Sequence, residues 1–286
     1  MANPQLRVAL AQVECTLGDV EANARRAREV VAAARDGGAD LVVFPELSLS
    51  GYALGAVTAD VALRVDDPAI AGLAEEAGEM AVMVGFVEDG AVHTYNSFAH
   101  LHGGRVVHVQ RKNYLPTYGR FEEHKHFRPG QSLRAYDTPW GRFAVLICND
   151  AWQAPLSFLA VHDGARVLIV PACSSLDPEP GDGIDPPAIE ADWTHLLRFH
   201  ARFLQSWVVF VNRVGDDAGL RFWGGSRVLD PWGETLVEAP RREPALVYAD
   251  LELGAVRRAR REMPLVKEPR LEFLVREFGR LADQDG

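Results

Sequence analysis

Cysteine is scarce in this chain of 286 residues: only Cys15, Cys148 and Cys173 are present. An odd number of scattered cysteines excludes the dense disulfide framework that is typical of small secreted proteins. A reducing compartment is therefore expected, and we predict a cytoplasmic protein. Each thiol is then available either to fill space in the core or to act as a nucleophile.

Excess basic charge and long apolar runs are also missing. The 30 Lys and Arg residues are outnumbered by 40 Asp and Glu residues, which gives a net charge of -10. Such a surface repels phosphate backbones and anionic lipids, so neither nucleic acid nor a membrane is an expected partner. No apolar stretch reaches membrane-spanning length, and the first strand-like run begins almost at once, without a charged and apolar leader before it.

Linker-like segments are absent too. The chain has no Ser/Gly-rich stretch, low-complexity block or short-period repeat that would divide it. Residues 1–286 are therefore expected to form one domain with a large core. The basic run RRARR at 257–261 is the one local charge block, and nearby glutamates favour a solvated helix face or an interface patch.

What the chain does contain is an alternation of helical patterns with runs rich in Val, Leu and Phe. Apolar residues recur at helical spacing over 20–38, 68–80, 155–164 and 189–207. Strand-like runs lie between and beyond them, among them RVALAQVE, DLVVFPE, AVMVGFVE, LRAYDT, RFAVLIC, RVLIVPA and VVFVNRV. Gly103 and Gly104 predict a hairpin turn, and GGSRVLDPWGETLVEA and ALVYADL predict meandering strands before a charged helical tail. The pattern predicts an α/β protein whose helices cover mixed sheets.

Three polar residues follow strand-like runs: Glu46 after DLVVFP, Lys112 after RVVHVQR and Cys148 after RFAVLI. Strand ends are where α/β folds usually place their chemistry. Singly, each has an ordinary explanation as a solvated strand end, an edge-strand charge or a core filler. Together they form a nucleophilic set, because a thiol with a pKa of about 8.5 needs a base or a cation at neutral pH. With Lys112 as that cation, Cys148 is expected to react with alkylating agents ahead of Cys15 and Cys173.

Three segments resemble the signature blocks of the nitrilase, or carbon-nitrogen hydrolase, superfamily, and in its order: FPELSLSGY, RKNYLPTYGRFEEHKHFRPG and FAVLICNDAW. The similarity continues through VNRVG and GGSRVLDPWG, so it covers most of the chain. It implies a four-layer αββα sandwich with mixed β-sheets and a Glu-Lys-Cys triad, which falls on Glu46, Lys112 and Cys148. A further family glutamate matches Glu123, with Glu122 as the neighbouring alternative. Family members typically assemble as dimers, so a homodimer or higher homo-oligomer is expected.

The resemblance also suggests how the remaining site residues act. A cysteine between a strand and a helix can project from a tight turn, with the backbone N–H of Asn149 stabilising an oxyanion. Asn149 stands where the family more often has tyrosine or glutamate, a change that bears on specificity more than on chemistry. The candidate substrate-binding residues are Tyr118, Trp152, Cys173 and Ser174.

The expected activity is hydrolysis of a non-peptide carbon-nitrogen bond in a small amide, through a cysteine thioester and without a cofactor or metal. The block YLPTYGRFEE particularly resembles the glutaminase part of glutamine-dependent NAD synthetases. The chain ends without room for an ATP-using synthetase domain, so a free-standing amidase is expected. Nitriles and N-carbamoyl compounds are alternative substrates. A non-catalytic binding protein that retains the fold is the alternative of a different class, although no triad residue is lost.

A rival site lies in the histidine-rich region, whose members are His100, His102, His108, His124 and His126, with Glu122 and Glu123 beside the last two. Imidazole and carboxylate ligands suit a metal hydrolase. The spacing matches no zinc motif, and polar strand faces are more often solvated than metallated. The acidic segments DPEP and GDGIDP lack the ligand order of a calcium loop and favour a flexible loop beside the active site.

Overall fold

Two six-stranded sheets form the centre of the protein. The structure is a computed structural model that describes residues 5–176 and 186–284. In spatial order, the first sheet contains β14 (Ala245–Glu252), β1 (Gln5–Gln12), β2 (Leu41–Val43), β3 (Ala81–Asp89), β4 (Thr94–His102) and β5 (Arg105–Arg111). The second contains β13 (Thr235–Glu238), β12 (Arg227–Leu229), β9 (Trp207–Asn212), β8 (Val167–Ala172), β7 (Gly141–Val145) and β6 (Tyr136–Thr138). A separate ribbon pairs β10 (Val214–Asp217) with β11 (Leu220–Trp223).

Helices cover the outer faces of both sheets. The first sheet packs against α1 (Val20–Asp36) and α2 (Pro68–Ala77), and the second against α4 (Ala154–His162) and α5 (Pro186–Phe203). The short α3 (Glu123–His126) follows β5, and α6 (Ala255–Glu262) and α7 (Leu271–Ala282) follow β14. Short 3-10 helices span Gly55–Val57, Cys148–Trp152 and Leu265–Lys267.

Both sheets are mixed. In the first, β2 pairs parallel with β1 and β3 while β14 pairs antiparallel with β1, and in the second β8 is parallel to β7 and β9. Leu6, Val8 and Leu10 of β1 face the core between the sheets, whereas Ala9 and Ala11 face the helices. Successive side chains of a strand point to opposite faces, so a strand buried on both sides must be apolar throughout. The predicted αββα sandwich with mixed sheets is confirmed.

Most predicted elements are present, but three details differ. The helix predicted over 189–207 ends at Phe203, because the chain reverses at Gln205 (φ 50°) and Trp207 begins β9. β7 ends at Val145, so Cys148 is the first residue of a 3-10 helix and not the last of a strand. The predicted C-terminal meander is split between the sheets, since β14 pairs with β1.

The basic run at 257–261 is not simply a solvated face. Arg260 on α6 donates from Nη2 to the Ala165 carbonyl (3.1 Å) and to Ser206 Oγ (3.2 Å), and burial lowers the pKa of Arg260 to about 10. Ala259 is buried, while Arg257 and Arg261 are exposed. The run therefore anchors α6 to the second sheet through Arg260, while the half-buried Arg258 pairs with Glu252 of β14 and Arg257 and Arg261 are solvated.

The strand histidines lie between the sheets. His100 and His108 are paired across β4 and β5, and both rings contact Tyr136 of the second sheet. His100 Nδ1 is 2.9 Å from the Tyr136 hydroxyl, and the His108 ring stacks on Tyr136 with centroids 3.9 Å apart. His102 packs on Trp140. In residues 5–176 and 186–284, no three His, Cys, Asp or Glu side chains are placed to hold a metal ion. These histidines serve as packing for the inter-sheet core.

Burial of these rings predicts acid sensitivity. Desolvation lowers the pKa of His100 to about 3 and that of His108 to about 4, from 6.5. Between pH 6.5 and these values, the two histidines are protonated in the unfolded chain but neutral in the folded chain. The stability that they contribute is therefore complete above pH 6.5 and falls as the pH falls. For His100, the loss at pH 5 is about 2 kcal/mol.

Thermal midpoints measured between pH 7 and pH 5 test this expectation. His108→Phe keeps the stack on Tyr136 and removes the titrating group, so its midpoint should fall less than that of the unmodified protein. His124→Gln, which removes a histidine from an exposed position, is the control. An unchanged slope in His108→Phe would contradict the assignment.

Of the described helices, none is both long enough and apolar enough to cross a membrane.

Candidate active site

Glu46 is held by a tight turn just after β2. The backbone there packs so closely on β3 that a Cβ at Gly85 would lie 2.3 Å from the Leu47 nitrogen, so only glycine fits. Leu47 itself has a φ of 45°, a conformation that side chains rarely adopt. A strained turn of this kind places the Glu46 carboxylate, which is fully buried, at a fixed point.

The Glu46 carboxylate has a hydrogen-bond donor at each oxygen. Oε1 accepts from Lys112 Nζ (2.7 Å) and from Asn96 Nδ2 (2.8 Å). Oε2 accepts from the backbone N–H of Cys173 (2.8 Å). These bonds come from three different strands or strand ends, so the carboxylate is oriented by both sheets.

Lys112 is buried, with 1% of its surface exposed, and is not the edge-strand charge that its position alone suggested. Its Nζ lies 2.7 Å from both Glu46 Oε1 and Glu123 Oε1. Burial alone would lower the pKa of Lys112, but the charges of Glu123 and Glu46 outweigh burial and raise it well above its usual value. The ammonium therefore stays charged, and since it has three N–H donors, one remains after these two bonds.

Glu123, and not Glu122, is the glutamate that contacts Lys112. Glu123 is buried on α3 and contacts Lys112, whereas Glu122 is exposed and pairs with Lys125. Glu123 Oε1 also accepts from the Tyr52 hydroxyl (2.6 Å), while Oε2 is buried without a hydrogen-bond partner in the described residues. Burial raises the pKa of Glu123 to about 7 against the opposing effect of Lys112.

Cys148 sits at a sharp turn. Its φ is 48°, and it opens the 3-10 helix Cys148–Trp152. Asp150, two residues later, is fully buried and accepts backbone N–H groups from Asn113 (3.0 Å) and Tyr114 (2.8 Å) at Oδ1 and from Ile147 (3.3 Å) at Oδ2. Burial raises the pKa of Asp150 to about 7, against the opposing effect of these hydrogen bonds. Asp150 thus ties the turn of Cys148 to the loop that follows Lys112.

The surroundings of Cys148 are not electropositive, contrary to the expectation from the sequence. Burial raises the pKa of the Cys148 thiol well above its usual value, and the charges of Glu46 and Glu123 raise it further. Lys112 and the backbone N–H of Cys173 lower it without reversing the direction. Burial together with the carboxylates outweighs the ammonium, so the pKa of the thiol stays raised and a base is needed to form the thiolate.

A cavity of about 310 Å³ lies at this thiol. All the substrate-binding residues predicted from the sequence line it together with Cys148, namely Asn149, Tyr118, Trp152, Cys173 and Ser174. Glu46 and Lys112 are not among the residues that line it. Cys173 itself is buried, and its Sγ donates to the Glu46 carbonyl (3.1 Å). The segments DPEP and GDGIDP fall almost entirely on 177–185, which lie outside the described residues.

Sequence reasoning missed three residues that the structure places around the network: Tyr52, Asn96 and Asp150. Tyr52 and Asp150 lie inside the segments FPELSLSGY and FAVLICNDAW, so their position beside Glu46 and Cys148 was an available signal. Asn96 gave none, because a lone asparagine on a strand is not distinctive.

Cys148 is expected to be alkylated before the other two cysteines, although not for the reason that its sequence context suggested. Burial raises the pKa of all three thiols, so accessibility decides, and only Cys148 is half-buried while Cys15 and Cys173 are buried. Brief iodoacetamide treatment followed by peptide mapping should find Cys148 modified first, at a rate that rises steadily above neutral pH. Early modification of Cys173 would contradict this, and Cys148→Ala serves as the control.

Comparisons with known proteins agree with the fold. Residues 7–261 match the model of the carbon-nitrogen hydrolase family. The chain is 32% identical over 254 residues to a glutamine-dependent NAD(+) synthetase of Thermotoga maritima, covering 87% of this chain but 42% of that protein. It is 29% identical over 276 residues to omega-amidase NIT2 of Homo sapiens, covering 92% of this chain and 95% of that one. The chain therefore spans less than half the length of the synthetase.

A solved amidase from Nesterenkonia sp. has the same fold, with a TM-score of 0.78 and 25% identity over 95% of this chain and 96% of that one. In that structure of a mutant amidase, the acetamide moiety of fluoroacetamide is covalently added at the active-site cysteine. The family match spans most of the sequence, and its signature segments converge on one buried network beside a thiol. The chain belongs to the carbon-nitrogen hydrolase family.

Proposed function

We propose that the protein is an amidase that hydrolyses a small-molecule amide through a thioester on Cys148. One observation carries the proposal: the Cys148 thiol opens into a cavity directly beside the network of Glu46, Lys112 and Glu123. Burying three charged groups at one point costs folding stability, and such groups cluster at functional sites. A neutral thiol, a carboxylate and an ammonium are together sufficient for acyl transfer.

In the first half of the proposed reaction, Glu46 removes the proton from Cys148 as Sγ attacks the amide carbon. The carbonyl oxygen becomes an oxyanion, which receives the third N–H of Lys112 and the backbone N–H of Asn149. Asn149 is in the first turn of a 3-10 helix, where N–H groups have no acceptor within the helix. Glu46 then passes the proton to the nitrogen, and ammonia or an amine leaves.

In the second half, Glu46 takes a proton from a water molecule as that water attacks the thioester carbon. The resulting tetrahedral intermediate collapses, the carboxylic acid is released, and the proton returns to the Cys148 sulfur. Glu123 holds Lys112 in place throughout, and Tyr52 fixes Glu123. Glu123 Oε2 has no hydrogen-bond partner among the described residues, and we propose that it accepts a hydrogen bond from the substrate nitrogen.

The names of similar proteins support an amide as the substrate. They include an omega-amidase, a glutamine-dependent synthetase, and an amidase whose cysteine carries the acetamide moiety of fluoroacetamide. Nitriles and N-carbamoyl compounds remain the alternative substrates, because the same three groups serve those reactions.

A screen for released ammonia tests the proposal. Primary amides should be turned over, while nitriles and N-carbamoyl amino acids should give little or no product. If only nitriles react, the amidase assignment is wrong. If no compound of the three classes reacts and Cys148 is nevertheless alkylated normally, the non-catalytic alternative takes its place.

We also propose one domain, a homo-oligomer and a cytoplasmic location. The core between the sheets draws on both halves of the chain, and all three cysteines are free. Large apolar side chains are exposed on α5 and α7, including Phe199, Phe203 and Phe278. Contact between copies would cover these side chains. Light scattering of the purified protein tests this by measuring its oligomeric state.

A further inference from the structure

We propose that the cavity at Cys148 selects an uncharged aromatic amide. The aromatic ring of its acyl part lies among aromatic side chains, and a hydrogen-bond acceptor in that ring accepts from the hydroxyl of Ser174. The proposal names a substrate class for the amidase proposed above and rests on it. Three independent features of the cavity carry it: the state of one hydroxyl, the walls and the placement of charge.

The first feature is the Ser174 hydroxyl. Ser174 is 6% exposed and lines the cavity, and its Oγ accepts the indole N–H of Trp193 (2.9 Å) and of Trp223 (3.0 Å). An indole nitrogen donates only, and a serine oxygen has two lone pairs. Both lone pairs are thus occupied, and the hydroxyl donates no hydrogen bond to any described residue. The hydrogen is therefore left to donate, and because Ser174 lines the cavity, an acceptor bound there can receive it.

The second feature is a pair of aromatic walls. One group consists of Tyr118, Phe121 and Tyr52, which form a chain of edge-to-face contacts, with centroids 5.6 Å and 6.1 Å apart. A second group consists of Trp152 and Trp193, which meet edge to face at 5.3 Å. All five line the cavity that contains Cys148. Walls of this kind favour a flat ring, because aromatic pairs gain beyond the area they bury.

The third feature is the placement of charge. Among the described residues that line the cavity, the charged side chains are Arg120 and Asp192, and both are exposed to solvent at the rim. Asn149, next to the nucleophile, is neutral. A charged group carried deep into the cavity would lose its hydration without gaining a counter-ion other than those of the catalytic network. The acyl part that enters is therefore uncharged.

Binding to Cys148→Ala tests the inference without requiring turnover. The probes are benzamide and phenylacetamide, their pyridine counterparts with nitrogen at each ring position, propionamide and glutamine. Quenching of tryptophan fluorescence reports binding, because Trp152 and Trp193 lie in the walls. At least one aromatic amide should bind tenfold or more tightly than propionamide and glutamine. One ring-nitrogen isomer should bind about twofold to tenfold more tightly than its phenyl parent.

The ring-nitrogen preference should depend on Ser174. In the Cys148→Ala background, Ser174→Ala should abolish the preference and leave phenyl binding within about twofold. Because that change leaves two buried indole N–H groups without an acceptor, Trp193→Phe is the second variant. This variant keeps an aromatic side chain in the wall and frees one lone pair of the Ser174 oxygen. The Ser174 hydroxyl can then rotate, so the preference for the ring-nitrogen isomer should shrink.

The outcomes separate this inference from the amidase proposal. Glutamine or propionamide binding as tightly as every aromatic amide overturns the substrate class, even if the unmodified protein releases ammonia from them. A ring-nitrogen preference that survives in both variants, or that is absent from the start, overturns the role of Ser174. Tight binding of an aromatic amide without ammonia release by the unmodified protein supports the ligand class of the cavity and contradicts the amidase.

Discussion

Glu46→Gln is expected to reduce ammonia release by about 10²–10⁴-fold, the usual contribution of a general base. The resting Cys148 thiol has a raised pKa and therefore depends on a base for every turnover. Glutamine has nearly the same shape but cannot take the proton. In either orientation, its amide nitrogen would also face a hydrogen-bond donor. Lys112 and Asn96 donate to one oxygen of Glu46, and the Cys173 N–H donates to the other.

The same variant should change alkylation in the opposite direction. The Glu46 charge raises the pKa of Cys148, so removing it should lower that pKa and shift the pH profile of iodoacetamide labelling downward. Slow turnover with a more reactive thiol distinguishes a lost base from a damaged site. Turnover within threefold of the unmodified protein would show that Glu46 is not the base.

Glu88 offers a matched control. It is a buried carboxylate that accepts from Ser97 Oγ (2.6 Å) and from Arg111 Nε (2.9 Å), outside the network around Cys148. Glu88→Gln should cost stability and leave turnover per folded molecule unchanged. Comparing the two variants by thermal melting and ammonia release separates the loss of a buried charge from the loss of a base.

Lys112→Met is expected to reduce turnover by about 10²–10³-fold, the cost of removing one oxyanion donor. Because Lys112 lowers the pKa of Cys148, its loss should also slow alkylation at any fixed pH. The structure changes the expectation for stability. An exposed edge lysine would be replaced with little effect, but this ammonium is buried against two carboxylates, so its removal should destabilise the fold by about 3–5 kcal/mol.

Arg111, the preceding residue, is the control for Lys112. Its guanidinium pairs with Glu88 and lies over the Tyr95 ring, away from Cys148. Arg111→Met should leave turnover unchanged and alter alkylation little.

Lys112→Arg should also fail in turnover, because the planar guanidinium cannot place its charge at the point shared by two carboxylates. Near-normal turnover in folded Lys112→Met would remove the lysine from the mechanism.

The electrostatics of the network explain why these two variants should diverge in alkylation. Beside the effect of burial, Glu46 and Glu123 raise the pKa of the Cys148 thiol and Lys112 lowers it. Deleting a carboxylate therefore favours the thiolate, while deleting the ammonium disfavours it. Both deletions should nonetheless slow turnover, because the proposed reaction requires a proton acceptor and a stabilised oxyanion in the same cycle.

The sequence by itself determined the class of fold and the family. Alternating apolar runs predict strands and helices because the two have different periods, and ordered signature segments carry the resemblance to carbon-nitrogen hydrolases. Glu46, Lys112 and Cys148 were identified because each follows a strand-like run. The lining residues Tyr118 and Trp152 were also anticipated, since they lie within a few residues of the signature positions.

Only the tertiary structure decided how these groups act. Whether Lys112 is an edge charge or a buried ammonium depends on what packs over it, and that packing comes from residues distant in sequence. The sign of the change in the pKa of Cys148 depends on counting every charge around the thiol, including Glu123. That the Ser174 hydroxyl is left to donate depends on Trp193 and Trp223, 19 and 49 residues away. Charge, burial and hydrogen-bond saturation are properties of neighbours in space, and the local sequence pattern does not contain them.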